Sequence, residues 1–342
     1  MNFRWLLFIL LLQVACQPVV EEKVYSNDKG EVTAYNLINP LEAKRLMEAN
    51  PLDYILVQVS KNEVFKKEHL VGALNVWRPD YCSKEENVCG GLMASSAEVE
   101  DLLQRLGFRE GKTLLLYDAK ANVDAFRLAW IFSYYGFQDF KVINGGLKYC
   151  KASGLAVRSD VTRLVRRSDY TFHPKINASI AADFSEVMAS IKDPNTLLID
   201  TREDYEFLGQ PFIKDKELFS YKKGAFNRGS IPGAINLNWS TLADLSGDHR
   251  IKSINSLRFD LKEKGISPDK NIILYCQSGS RTSHTFYVLK HVLGYPSVKN
   301  YDGSWIEWSY KNSIDSTVPI NQQTADKSYE EMYQQLEKQL AK

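Results

Sequence analysis

Residues 270–294, KNIILYCQSGSRTSHTFYVLKHVLG, contain an apolar stretch that ends at a cysteine, a few small polar residues and a segment with helical periodicity. Residues 112–136, KTLLLYDAKANVDAFRLAWIFSYYG, follow the same pattern at a constant offset of 158 positions. The chain therefore repeats a unit of strand, tight turn and helix.

The repeat extends upstream of these two stretches. Residues 54–65 align with residues 196–207 at an offset of 142, and residues 69–75 align with residues 230–236 at an offset of 161. The second half therefore carries 19 extra residues, at about 208–228. Because the predicted strands are continuously apolar, we expect α/β domains, each with a doubly wound, mostly parallel sheet covered by helices on both faces.

The length of 342 residues agrees with two such domains. The repeat and the composition predict a signal segment at 1–16, a first domain at 31–158, a linker at 159–177, a second domain at 178–312 and a polar C-terminal helix at 313–342. The 43 basic and 42 acidic residues give a net charge of +1, so the chain lacks the basic field that nucleic-acid binding requires.

The N-terminus has the pattern of an export signal. One arginine precedes a short apolar run, residues 5–12, which is too short to span a bilayer. The run leads to Cys16 in a sequence that resembles a bacterial lipobox, although Gln13 stands where that motif usually has leucine. We expect Cys16 to be lipidated and the chain to be anchored in the cell envelope, facing the periplasm or the exterior. An ordinary cleaved signal and a cytoplasmic chain are the alternatives.

Cys276 is the candidate nucleophile. It ends a predicted strand and precedes a helix, where ligands bind in doubly wound sheets. Successive backbone N–H groups and the positive end of the helix dipole favour a thiolate there, and Gly279 permits the tight turn. The spacing indicates persulfide chemistry, because four residues separate Cys276 from Arg281. Cysteine phosphatases have five, which enclose a phosphate. A buried structural cysteine is the other alternative.

Four motifs resemble those of the two-domain rhodanese family, the thiosulfate and 3-mercaptopyruvate sulfurtransferases. They are CQSGSR at 276–281, DGSWIEW at 302–308, IPGAIN at 231–236 and NGGL at 144–147. The resemblance implies a monomer without cofactor or metal. It also implies that Cys276 takes a sulfane sulfur from a small anionic donor and passes it to cyanide or a thiol. The alternative function is a lipoprotein that binds sulfide or another anion, or senses oxidants, without turnover.

The resemblance also implies which residues contact the donor. They are Gln277, Ser278, Gly279, Ser280, Arg281, Asp200, Arg202 and Trp305. A surface ion pair is the alternative role for Asp200 and Arg202, and core packing is the alternative for Trp305. Gln277 is neutral where thiosulfate enzymes often carry a basic residue, but the late Arg281 makes the loop more similar to bacterial thiosulfate-type members. Glu206 stands where some members carry a second arginine. The lysine-rich insertion is either a steering rim or a solvated loop.

The first domain is expected to be catalytically silent. Asp118 stands at the position of Cys276, and an aspartate cannot carry a sulfane sulfur. Arg127 is expected at the domain interface. Cys82 and Cys89 flank a polar loop and are candidates for a disulfide in an oxidising compartment. A metal site at these two cysteines is the weaker alternative, because the stretch offers too few ligands.

Overall fold

The computed structural model describes residues 25–26, 32–34, 36–85, 88–159, 165–322 and 326–340. The signal segment and Cys16 lie outside these ranges. Within them, no helix combines the length and the apolar character that crossing a membrane requires.

The first domain is built around one parallel sheet. Its strands are β1 Tyr25–Ser26, β2 Val32–Thr33, β3 Leu37–Ile38, β4 Tyr54–Val59, β5 His69–Leu70, β6 Leu74–Val76, β7 Thr113–Tyr117, β8 Phe140–Ile143 and β9 Val157–Arg158. Its helices are α1 Pro40–Ala49, α2 Asn62–Lys67, α3 Ser96–Arg105, α4 Val123–Tyr134 and α5 Gly146–Ala152. Five strands pair in the order β3-β8-β7-β4-β6, and all four pairings are parallel.

The second domain repeats this arrangement. Its strands are β10 Ala181–Ala182, β11 Thr196–Asp200, β12 Phe212–Lys214, β13 Glu217–Phe219, β14 Ile235–Asn236, β15 Asn271–Tyr275 and β16 Val298–Tyr301. Its helices are α6 Phe184–Ser190, α7 Asp204–Phe207, α8 Ile254–Glu263, α9 Ser280–Tyr287, α10 Ser304–Ile314 and α11 Asp326–Leu340. The sheet order is β10-β16-β15-β11-β14, again with parallel pairings only. The predicted α/β fold is confirmed.

Helices cover both faces of each sheet, as β15 illustrates. Successive side chains of a strand point to opposite faces. Ile272 and Leu274 pack in the large core that α9 shares, whereas Ile273 and Tyr275 pack with Trp308 of α10. A strand buried on both sides needs an unbroken apolar run, and this explains why β15 reads NIILY.

The two domains meet along equivalent helices. Helix α4 of the first domain packs against α9 of the second, and Phe126 stacks on Tyr287 with ring centroids 4.1 Å apart. His284 is fully buried between Phe126 and Trp239, and burial lowers the pKa of His284 to about 3. A neutral, packed His284 fits a structural role. This interface holds the loop that precedes α9 against the first domain.

The insertion of the second domain forms a β-hairpin. Strands β12 and β13 pair antiparallel around Asp215 and Lys216. Helix α11 packs on this hairpin, and the guanidinium carbon of Arg228 lies 4.0 Å from the centre of the Tyr329 ring. The C-terminal helix α11 therefore packs against the insertion, for which the sequence left a steering rim and a solvated loop as alternatives.

Candidate active site

The loop between β15 and α9 places Cys276 at the carboxyl end of the sheet, beside the end of β11. Gly279 adopts a left-handed conformation with φ of 82° and precedes the first residue of α9. A Cβ atom on Gly279 would lie 2.6 Å from Arg127 Nη1 and 2.7 Å from Asp302 Oδ1. Glycine is therefore required here both by the backbone and by the close approach of the first domain.

Cys276 is almost completely buried, with 1% of its surface exposed. Its backbone N–H donates to Ser304 Oγ at 3.2 Å, and its Sγ lies 3.8 Å from Thr282 Oγ1. Burial on its own would raise the pKa of Cys276. The charge of Arg281 and the N–H groups of Thr282 and Ser278 outweigh it and hold the pKa below that of an ordinary thiol. The loop thus favours a reactive thiolate.

The rate of Cys276 alkylation should therefore reach half of its maximum at a lower pH than the rate of an ordinary thiol does. We expect its iodoacetamide rate to be half-maximal below about pH 8.5, the value of an unperturbed thiol. Cys82 is an internal control, because burial raises its pKa, and its midpoint should lie above that of Cys276. Peptide mapping of alkylated protein over a pH series measures both. A Cys276 midpoint at or above that of Cys82 would contradict the electrostatic description of the loop.

The other predicted loop residues surround the thiol through their backbones and short side chains. Gln277 Nε2 donates to the Lys223 carbonyl of the insertion at 3.4 Å. Ser278 lies against the first domain, since a Cβ atom on Gly91 would be 3.2 Å from the Ser278 Cβ. Ser280 is buried at the start of α9. The loop is therefore enclosed by the insertion and by the first domain.

Arg281, which the resemblance places in contact with the donor, forms an ion pair within the site. Its Nη2 donates to Glu206 Oε1 at 2.9 Å, its Nη1 contacts Oε2, and only 12% of its side chain is exposed. Lys222 Nζ lies 3.1 Å from the same Oε2. Although burial raises the pKa of Glu206, Arg281 and Lys222 lower it to about 2. Glu206 is therefore a permanent anion inside the site.

Asp200 and Arg202 form a buried ion pair, which contradicts the surface-pair alternative. Arg202 Nε donates to both carboxylate oxygens of Asp200, at 3.0 and 2.9 Å, and Arg202 Nη2 donates to the Gly229 carbonyl at 2.7 Å. The Arg202 guanidinium also lies 4.6 Å from the centre of the Trp305 ring. The ion pair thus holds the Arg202 guanidinium against the Trp305 ring. Direct contact of Arg202 with a donor stays a prediction.

A small cleft lies between Arg202 and Trp305 on one side and the insertion on the other. Among the residues that line it are Arg202, Glu206, Gln277 and Trp305 from the domain, and Phe212, Tyr221, Lys222 and Arg228 from the insertion. Cys276 does not itself line the cleft but is adjacent in sequence to Gln277. Trp305 is both a core residue and a wall of the cleft, and its Nε1 donates to the Asn227 carbonyl at 3.0 Å. Lys222 is part of the site rather than a solvated lysine.

The first domain reaches the active-site loop through Arg127 and Asp302. Arg127 is fully buried and its Nη1 lies 2.5 Å from Asp302 Oδ1. Its Nη2 donates to the Gly91 carbonyl at 3.0 Å, and the Met93 N–H donates to Asp302 Oδ2 at 2.9 Å. The structure confirms Arg127 as an interface residue. The sequence did not identify its partner, because Asp302 belongs to the other domain.

The equivalent loop of the first domain is filled by its own side chain. The buried Asp118 carboxylate accepts backbone N–H groups of Lys120, Asn122, Asp124 and Ala125 at 2.7, 2.8, 2.8 and 3.3 Å. Burial and the charge of Asp124 raise the pKa of Asp118 to about 6, although these N–H groups oppose the shift. The loop has the same anion-binding geometry but no thiol.

The structure has no disulfide between Cys82 and Cys89, and their pairing in an oxidising compartment stays a prediction. They lie in different surroundings. The charges nearest Cys82 belong to Arg127 and Arg78, whereas those nearest Cys89 belong to Glu307 and Lys311. Burial raises the pKa of Cys89 to about 11, so its thiol is protonated at neutral pH. Each thiol is therefore held in its own packing environment.

Glu206 and Lys222 are among the site residues that sequence reasoning did not assign. Glu206 is four positions after Arg202 on α7, and Lys222 is in the insertion. The position of Glu206 beside a predicted strand end was the available signal. Its partner Arg281 is 75 positions away, so the ion pair needed the structure.

Comparison with known proteins agrees with this geometry. The Rhodanese-like domain family matches twice, at residues 39–153 and 183–311. Putative thiosulfate sulfurtransferase 1 of Mycobacterium bovis is 34% identical over 257 residues, which are 74% of this chain and 88% of the relative. Thiosulfate sulfurtransferase of Corynebacterium glutamicum is 30% identical over 246 residues, 70% of this chain and 76% of the relative.

Two further proteins extend the comparison. Sulfur carrier protein TtuD of Thermus thermophilus is 34% identical over 216 residues, 63% of this chain and 74% of the relative. The crystal structure of YnjE matches with a TM-score of 0.67 at 22% identity, over 83% of this chain and 68% of that chain; at this identity it shows the fold alone. With the repeat, the two parallel sheets and the two family matches together, the chain belongs to the tandem rhodanese-domain family of thiosulfate sulfurtransferases.

Proposed function

We propose that the protein transfers a sulfane sulfur from thiosulfate or 3-mercaptopyruvate, through a persulfide on Cys276, to cyanide or a thiol. The observation that carries this proposal is the position of Cys276, a buried thiol in the loop between β15 and α9, where Arg281 and the N–H groups of Thr282 and Ser278 lower its pKa. A thiolate is the nucleophile that sulfur transfer needs. The family likeness supports the same chemistry.

In the first half-reaction, the Cys276 thiolate attacks the outer sulfur of thiosulfate. A new S–S bond forms, the old S–S bond breaks, and sulfite leaves with the bonding electron pair. In the second half-reaction, cyanide attacks the outer sulfur of the persulfide. Thiocyanate leaves and the thiolate is restored. The N–H groups of Ser278 and Thr282 and the charge of Arg281 stabilise the anionic sulfur at each stage.

The intact mass of the protein tests this function. After incubation with thiosulfate or 3-mercaptopyruvate, we expect a gain of one sulfur atom that is lost on adding cyanide, with release of thiocyanate. The donor that loads the protein faster identifies the preferred substrate. No gain from either donor, with Cys276 still free to be alkylated, would contradict sulfur transfer and favour a sulfide-binding or redox-sensing role.

We also propose that the mature chain is anchored by a lipid on Cys16, on the envelope side of a bacterial membrane. The support is the apolar run followed by Cys16. Cys16→Ser should move the protein from the detergent phase to the aqueous phase in a detergent partition, with no lipid on the N-terminal peptide. The matched control is Cys82→Ser, which should partition as the wild type does. Partition of Cys16→Ser into the detergent phase would contradict the anchor.

A further inference from the structure

The cations beside Cys276 are already neutralised in part by one side chain of this protein, Glu206. Its carboxylate receives both terminal nitrogens of Arg281 and the ammonium of Lys222, and only 3% of its side chain is exposed. Two-nitrogen contact between guanidinium and carboxylate is among the stronger charged hydrogen-bond arrangements in proteins. An incoming anion that needs Arg281 must therefore compete with an ion pair that is already formed.

The charge of the site can be counted. The ion pairs at the cleft join the cations Arg202, Lys222 and Arg281 to the anions Asp200 and Glu206. With the thiolate of Cys276, these groups give three positive and three negative charges. A donor with one negative charge adds one uncompensated charge to this largely buried group. A donor with two adds two, which is more unfavourable.

Of the two carboxylates, Glu206 is the one that distinguishes donors with one negative charge from donors with two. The Asp200 carboxylate is held by Arg202, behind Trp305, and does not line the cleft, whereas Glu206 does. The pKa of Glu206 is lowered to about 2, so the side chain stays charged throughout the neutral range and cannot take up a proton from a donor. Its effect on a donor is therefore electrostatic repulsion and competition for Arg281.

We propose that Glu206 determines the donor specificity of the site by disfavouring doubly charged donors such as thiosulfate relative to singly charged donors such as 3-mercaptopyruvate. The inference rests on the proposed sulfur transfer at Cys276. It adds a role for a side chain that does not react. Glu206 acts through Arg281 and Lys222, which makes it a specificity-determining residue rather than a catalytic one.

Glu206→Gln tests this role by removing the charge and keeping the shape. We expect the second-order rate of sulfur loading from thiosulfate to rise by about tenfold or more, and the rate from 3-mercaptopyruvate to change by less than about threefold. Glu217→Gln is the matched control, because Glu217 lies exposed on β13 and does not line the cleft. It makes the same change in net charge and should leave both rates as in the wild type.

A second readout separates electrostatics from mere support of the fold. Without the charge of Glu206, Arg281 acts on Cys276 uncompensated, so the midpoint of Cys276 alkylation should fall to lower pH in Glu206→Gln. Glu206→Asp should restore the wild-type midpoint. If Glu206→Gln does not fold, Lys222→Gln removes a cation instead and should slow loading from thiosulfate more than loading from 3-mercaptopyruvate.

The outcomes distinguish this inference from the function on which it rests. Wild-type protein that gains sulfur from neither donor would overturn the proposed function. Wild-type protein that gains sulfur, with a ratio of donor rates that is the same in Glu206→Gln and Glu217→Gln, would overturn the role of Glu206 alone.

Discussion

Replacing Cys276 by serine should abolish sulfur transfer, with thiocyanate formation falling by at least about a thousandfold. The reason is chemical rather than structural. Serine has nearly the same size, and the loop should keep its contacts to Ser304 and Thr282. A hydroxyl is not ionised by the N–H groups and charge that lower the pKa of Cys276, and an oxygen cannot hold the sulfane sulfur.

Two measurements check this result. Colorimetric detection of thiocyanate gives the rate, and intact mass shows whether any sulfur remains on the protein after the donor is added. Cys82→Ser is the control, because it removes a half-buried thiol outside the active-site loop, and it should retain the wild-type rate within about twofold. Sulfur loading that persists in Cys276→Ser and disappears in Cys82→Ser would move the reaction to another thiol.

Replacing Arg127 by methionine should destabilise the protein by about 3–5 kcal/mol, because it leaves Asp302 with a largely buried, unpaired charge. Methionine fills much of the volume of arginine, so the loss is mainly electrostatic. The change also removes the hydrogen bond to the Gly91 carbonyl and the contact with the Trp130 ring, whose centre is 5.4 Å from the guanidinium. Both domains should therefore lose stability together.

Urea unfolding followed by circular dichroism measures this loss. Arg105→Met is the matched control, since the pairs of Arg105 with Asp80 and Asp101 are exposed, and it should cost less than about 1 kcal/mol. In the double variant Arg127→Met with Asp302→Asn, part of the loss should return, because the stranded charge is gone. Equal losses for Arg127→Met and Arg105→Met would contradict the importance of the buried pair.

The repeat made the fold predictable from the sequence. Continuous apolar runs such as the one in β15 can be satisfied only in a sheet covered on both faces, and the two halves support each other. The hairpin of the insertion was not predictable in the same way. Its strands have three residues each, and its turn is formed by Asp215 and Lys216 at φ of 51° and 64°, where glycine or asparagine is the usual signal.

The candidate site also has features that were predictable from the sequence and features that were not. Cys276 and Gly279 were predictable, because their roles depend on the local backbone of one strand, turn and helix. The state of Arg281 was not, because it depends on Glu206, a residue on another helix. The candidate disulfide was inferred from the polar loop that Cys82 and Cys89 flank and from an oxidising compartment, and neither determines where the two side chains are packed.

The carboxylate of Asp118 accepts four backbone N–H groups, and this determines the stoichiometry of ligand binding. Because this carboxylate is covalently part of the chain, an anion in solution cannot displace it from the loop of the first domain, even in excess. Although the fold is present twice, a titration with any sulfur donor, or with an inhibitor shaped for the loop, should therefore saturate at one equivalent per chain. A compound designed against this loop would leave half of the repeat untouched.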